Sequence, residues 1–219
     1  MPRRLAIGLL LAAVFASTAL AGPNDPKKRH NAADQAWARA IRIHRADLPG
    51  GGWKSERSSD DSSYAPKGCK RPNLSDLVAT GEASNPDFSR GGSFVGSGST
   101  IFATEREATA AWARTSKVVV ARCFAAAMRD GLGGSGASLA VRSHEQVRSG
   151  LAPHELGFRM RFTLSGPAVK IDGRVGYYVF GRGRAIGAVM VVSVGKPLQP
   201  VPLALEQKLT HLVASRLRR

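Results

Sequence analysis

Apolar and polar residues alternate along this chain with two distinct periods, and the switches between them predict its elements. From Asn31, whose side chain suits a helix cap, Ala33, Trp37, Ala40, Ile41, His44 and Leu48 fall at helical spacing, and Pro49-Gly50-Gly51-Gly52 must end the run. Residues 54–68 are Ser, Asp, Lys and Arg with scattered apolar positions, which predicts an exposed loop leading to Cys69. A short helical piece around Leu74 to Val78 and a polar, Gly-rich stretch follow. Ser93 to Ala103 then reads as a strand with Gly interruptions.

Thr104-Glu105-Arg106-Glu107 matches a capping box, in which the hydroxyl takes the amide of Glu107 and the Glu107 carboxylate reaches back. It predicts one helix with Ala108, Ala111, Trp112, Thr115, Val119, Cys123, Ala126 and Ala127 on a single face, ending near Asp130-Gly131. Beyond it the period drops to two. Phe158 to Leu164 alternates apolar and polar without a fault, the mark of a half-buried antiparallel strand. Val175–Phe180 and Ala185–Val192 flank Gly181-Arg182-Gly183-Arg184, a hairpin signal. A final helix from Pro202 places Leu205, Leu209, Leu212 and Val213 on one side, with Arg216, Arg218 and Arg219 at its cation-favouring end. The elements together predict an α+β fold, a central antiparallel sheet packed against helices as a two-layer or α-β-α sandwich.

The chain's beginning changes this picture. A basic head, Met1-Pro2-Arg3-Arg4, precedes an apolar run from Leu5 to Ala16 and the small-residue site Ala19-Leu20-Ala21, which is the three-part export signal, with cleavage expected between Ala21 and Gly22. The run is shorter than the roughly 20 residues that span a bilayer, so no transmembrane anchor is expected. Gly22 stands where a lipoprotein needs an acylated Cys. Residues 1–21 are thus read as signal, 22–30 as a disordered leader with two prolines and a basic cluster, and 31–219 as one domain, secreted and monomeric.

In that compartment Cys69 and Cys123 predict one disulfide. The formal charge of +16 becomes +14 once the two signal arginines are removed, an excess that draws polyanions whatever the fold. Catalytic chemistry finds no comparable support. Gly131-Leu132-Gly133-Gly134-Ser135-Gly136 matches a dinucleotide fingerprint in letters but follows a helix where that motif follows a strand. The five His show no metal-ligand spacing, no G-x-S-x-G elbow is present, and the paired Cys leave no thiol nucleophile. Neither a catalytic residue, a metal site nor a cofactor is predicted.

The pattern that remains is basic. Arg159 and Arg161 lie on the polar face of the alternating strand, and Arg142, Arg174, Arg182 and Arg184 come from neighbouring strand or turn positions. If those strands are adjacent, Arg159, Arg161, Arg174, Arg182 and Arg184 share a face and could bind carboxylates or phosphates bidentately. A solvated sheet face accounts for the same residues. No aromatic residues interleave with them, which disfavours nucleic acid.

Asp47-Leu48-Pro49-Gly50-Gly51-Gly52-Trp53 after an early helix, Cys69, the strand running into Ala103-Thr104-Glu105-Arg106-Glu107-Ala108, and Cys123 late in the following helix together resemble a known group. The arrangement is similar to the extracellular sensor-type domains of actinobacterial secreted proteins and lipoproteins, including the PknH-like domain of some mycobacterial receptor kinases, and spans most of residues 31–217. The resemblance implies an α+β sandwich with a ligand cleft and no catalysis. This chain departs from the kinase-linked members in having one cysteine pair where they have two, and in lacking a membrane tether. The function expected is an exported, non-catalytic ligand-binding or sensor-type domain for an anionic small molecule or cell-envelope polymer. The alternatives are a secreted hydrolase acting on envelope material and a cationic surface adhesin.

Overall fold

The computed structural model describes residues 24–56, 69, 71–84, 87–117, 121–132, 136–167 and 169–219. The expected signal sequence and Ala21–Gly22 cleavage site lie outside these, as do most of the loop expected over 54–68 and the dinucleotide-like glycines Gly133 and Gly134. Strands β1 (Lys27–Lys28), β2 (Lys54–Glu56), β3 (Val78–Ser84), β4 (Asp87–Arg90), β5 (Ser93–Phe102), β6 (Ser138–Val147), β7 (His154–Gly166), β8 (Val169–Arg182) and β9 (Ala185–Gly195) form one sheet. Its order is β1-β3-β5-β9-β8-β7-β6, with β4 paired to β5 and β2 to β4. Every pairing is antiparallel except β1 with β3.

Helices α1 (Ala32–Ile41) and α4 (Leu203–Arg216) cover one face, where Ala38, Ile41, Leu205, Leu209 and Val213 pack on Ala83, Val95, Tyr178, Phe180 and Val189. Helices α2 (Glu105–Thr115) and α3 (Ala121–Gly131) cover the other. There Ala125 and Met128 meet Phe158, Met160 and Phe162, while Ala108 and Ala111 meet Phe102. The result is the α-β-α form of the expected sandwich, with the β7, β8 and β9 strands and the hairpin at Gly183 as the sequence placed them.

Cys69 and Cys123 are disulfide-bonded with Cα atoms 5.6 Å apart, so the chain before β3 is tied to α3. Thr104 caps α2 through the predicted box, its hydroxyl accepting from Glu107 N at 3.2 Å and its own amide donating to Glu107 Oε2 at 3.0 Å. Asn31 caps α1 through its side chain alone, accepting from Asp34 N at 2.9 Å, while its own amide donates to Thr80 O.

Four local readings differ from the structure. The first helix stops at Ile41, because Ile43 N donates to Ser97 Oγ at 2.7 Å and a 3-10 turn over Arg45–Asp47 takes its place. Its sheet-facing side carries Asp34, Ala38 and Ile41, while Ala33 and Ala40 are exposed, so the apolar stripe is rotated by a buried acid. The piece around Leu74 to Val78 leads into strand β3, which hides from a hydrophobic pattern because its buried face is Ala79, Gly81 and Ala83. Small side chains are needed there, since a Cβ on Gly81 would sit 2.3 Å from the Asp34 carbonyl oxygen. The single helix expected from Thr104 is two, one docked near Phe102 and one on β6 and β7; a twisted sheet presents those surfaces in different directions. Within the expected leader, Lys27 N and Arg29 N donate to Leu77 O and Ala79 O at 2.8 Å, which draws Lys27–Lys28 onto the unpaired edge of β3.

No helix among the described residues is long and apolar enough to cross a membrane.

Candidate functional site

Strands β7 and β8 are adjacent, so the register decides which arginines meet. Arg159 lies opposite Gly176, and Arg161 lies opposite Arg174 on one side and Ser143 of β6 on the other. All three arginines therefore stand on the face that α4 covers in part. α4 brings Glu206 onto this row. Glycine at 176 makes the approach feasible, because a Cβ there would meet Glu206 Oε1 at 3.0 Å.

Glu206 is only 2% exposed and is fully engaged. Arg159 Nε donates to Oε1 at 2.7 Å, Arg174 Nη2 donates to Oε2 at 2.7 Å, and the Tyr178 hydroxyl donates to Oε1. Arg159 also reaches Glu145 at 3.3 Å. A carboxylate stripped of water needs such donors to offset its desolvation. Burial first, then the Glu206 hydrogen bond and charge, holds the Tyr178 phenol well above its ordinary value, so it stays a donor. Burial opposes the charge on Arg159, but the hydrogen bond and charge of Glu206 prevail and hold it above the usual arginine value.

The five arginines singled out in the sequence do not form one cluster. Arg159 and Arg174 converge on Glu206. Arg161 is exposed and makes no hydrogen bond or ion pair among the described residues, and Arg142 donates from Nε to Thr163 Oγ1 at 3.0 Å nearby. Arg182 lies eight residues beyond Arg174 at the end of β8, about 27 Å away at the strand rise, and Arg184 lies in the turn that follows. Arg182 donates to Leu151 O at 3.3 Å and leaves its Nε without a partner among the described residues. Arg184 grips Asp34, donating from Nη1 to Oδ2 at 3.1 Å and from Nη2 to Oδ1 at 2.9 Å.

Asp34 is itself 4% exposed and receives Thr80 Oγ1 at 2.7 Å and Asn31 Nδ2 at 3.0 Å. The Arg184 hydrogen bond, working against burial, holds its carboxyl far below the ordinary range. A depressed folded value means that Asp34 stabilises the fold fully above the ordinary carboxylate pKa and loses that contribution as the pH falls below about 4. Urea unfolding followed from pH 6 to pH 2.5 should show this acid limb, and Asp34→Asn should flatten it. An unchanged limb would remove Asp34 as its source.

Sequence reasoning missed Glu206 and Tyr178. A signal for the first exists: Glu206, Leu209 and Val213 fall at helical spacing, which puts a carboxylate on the apolar stripe of α4. Such a residue is buried only if cations await it. Among the described residues no group of His, Cys, Asp or Glu is arranged to hold a metal ion.

No protein family matches the chain, and no curated protein matches it. Among solved structures it is similar to the crystal structure of the extracellular domain of PknH from Mycobacterium tuberculosis, with a TM-score of 0.45 and 10% identity over 84% of this chain and 97% of that one. The resemblance read from the sequence is met by this weak structural likeness, which assigns no residue here.

Proposed function

We propose that this chain is an exported, non-catalytic ligand-binding domain of the sensor type whose ligand is anionic. The reading rests on the Arg161–Arg174 pair. Like charges directly opposite each other on neighbouring strands are destabilising, and only Arg174 has an internal carboxylate. Glu206 fixes Arg174 through Nη2, and Ser143 and Arg142 stand on the same shelf. An oxyanion between the two forks offsets their repulsion. Export is supported by the N-terminal signal pattern and by the disulfide, which belongs to oxidising compartments. Against catalysis, the Tyr178 hydroxyl and both Glu206 oxygens are committed to one another and to arginine.

A thermal-shift screen of the mature chain against cell-wall fragments, anionic lipids and anionic metabolites tests the reading. A ligand present at one hundred times its Kd stabilises the native state by about 2.7 kcal/mol. The same ligand should bind Arg161→Gln at least tenfold more weakly. Silence across the panel, or a hit indifferent to that substitution, overturns the proposal.

A further inference from the structure

The Asp47-Leu48-Pro49-Gly50-Gly51-Gly52-Trp53 turn, far from the β7–β8 shelf in the chain, gathers cations for which the fold supplies a single carboxylate. Arg45 donates from Nη1 to Leu48 O at 3.1 Å and from Nη2 to Gly50 O at 2.8 Å. Arg90 of β4 donates to Pro49 O at 3.2 Å and lies over the Trp53 ring at 4.6 Å. Lys208 of α4 donates to Asp47 O at 3.3 Å. Arg216 donates to Arg42 O at 2.9 Å and binds Asp47 through both oxygens at 2.7 and 2.8 Å. Arg42 donates to Ser84 O at 3.3 Å.

Arg45, Arg90, Lys208 and Arg216 face one carboxylate among the described residues, a local formal charge of +3, and Asp47 is already taken by Arg216. Arg42, Arg45, Arg90 and Lys208 are oriented by neutral carbonyl oxygens and meet no carboxylate within 4.0 Å among the described residues. The turn is shaped to hold them. Gly50 adopts φ +70°, and a Cβ there would press on Arg90 Nη1 at 3.2 Å. Burial, then the nearby charge of Arg39, lowers the pKa of Arg42. Carbonyl-anchored guanidinium groups keep their outer donors for a ligand and lose little entropy on binding it.

We infer that this turn, with Arg45, Arg90 and Lys208 at its rim, is a binding site for a multivalent phosphate anion, separate from the shelf around Arg161. A single monovalent anion answers only part of a +3 cluster, whereas linked phosphates place several charges within its span. The phosphates can be those of a free chain or of lipid headgroups.

Calorimetric titration of the mature protein with inorganic tripolyphosphate at low salt is the test. Binding should weaken at least tenfold in the Arg45→Gln/Arg90→Gln double variant and by a smaller factor in Lys208→Gln. It should weaken steeply in 0.5 M salt. Arg161→Gln should leave it unchanged, which separates this site from the shelf. Sedimentation with phosphatidylglycerol vesicles against phosphatidylcholine vesicles distinguishes the sources: vesicle binding lost in the double variant assigns the headgroup, and tripolyphosphate binding alone assigns the free chain. Circular dichroism of the double variant establishes that it folds. No binding of either probe, or binding that the folded double variant retains, overturns the inference.

Discussion

Glu206→Ala is expected to lower the unfolding free energy by about 3 to 5 kcal/mol, measured by urea denaturation at pH 7. The carboxylate is 2% exposed, and removing it leaves Arg174, 19% exposed, without a counter-charge beside Arg159, 23% exposed, which keeps only the solvent-exposed Glu145. It also deprives the Tyr178 hydroxyl of its acceptor, an added penalty of about 1 to 3 kcal/mol if no water replaces it. For a domain of this size that loss amounts to a fall in Tm of roughly 6 to 20 °C. The converse experiment separates pairing from packing. Replacing all three charged groups together, as Arg159→Met, Arg174→Met and Glu206→Leu, should recover most of the stability, since an apolar cluster of similar volume substitutes well for a buried ion group. A loss below 1 kcal/mol in Glu206→Ala would show that water already compensates the arginines. The network would then not anchor α4.

The Cys69→Ala/Cys123→Ala variant is expected to lose about 4 kcal/mol by the chain-entropy account. The bond joins residues 54 apart in sequence, and releasing it returns that loop's freedom to the unfolded chain. Differential scanning calorimetry of the oxidised protein against this variant reads the effect as a Tm lower by roughly 8 to 16 °C. Intact-mass analysis after alkylation without reduction should show no labelled thiol on the native protein. A variant as stable as the parent would place the tie's value in fixing α3 against the segment before β3, with the entropy already limited by residual structure in the unfolded chain.

Much of the architecture was legible because it depends on local rules. The capping box at Thr104, the alternation over Phe158 to Leu164 and the hairpin around Gly183 each reappear in the structure, since each is settled by residues that lie within a few positions of one another. β3 was not legible, because its buried residues are Ala79, Gly81 and Ala83 and the need for small side chains comes from α1 lying directly on them. The rotated stripe of α1 has the same origin: Asp34 is buried where Arg184, 150 positions away, meets it together with Thr80 and Asn31.

The arginines make the same division at the level of function. The sequence by itself determined that Arg159 and Arg161 share a face, because strand alternation is a property of the backbone; that Arg174 joins them was settled by the β7–β8 register. The sequence determined too that Cys69 and Cys123 would pair and that the chain would build helices over an antiparallel sheet. Only the tertiary structure decided which of those charges remain available. Glu206 takes Arg159 and Arg174, Asp34 takes Arg184, and Arg161 is left exposed, while cations around the Asp47–Trp53 turn, which no local pattern marked, are left with one carboxylate among them. The reason is physical: an ion pair is decided by distance in space, and the distances between α1, α4 and the sheet are set by apolar packing that follows from the whole fold.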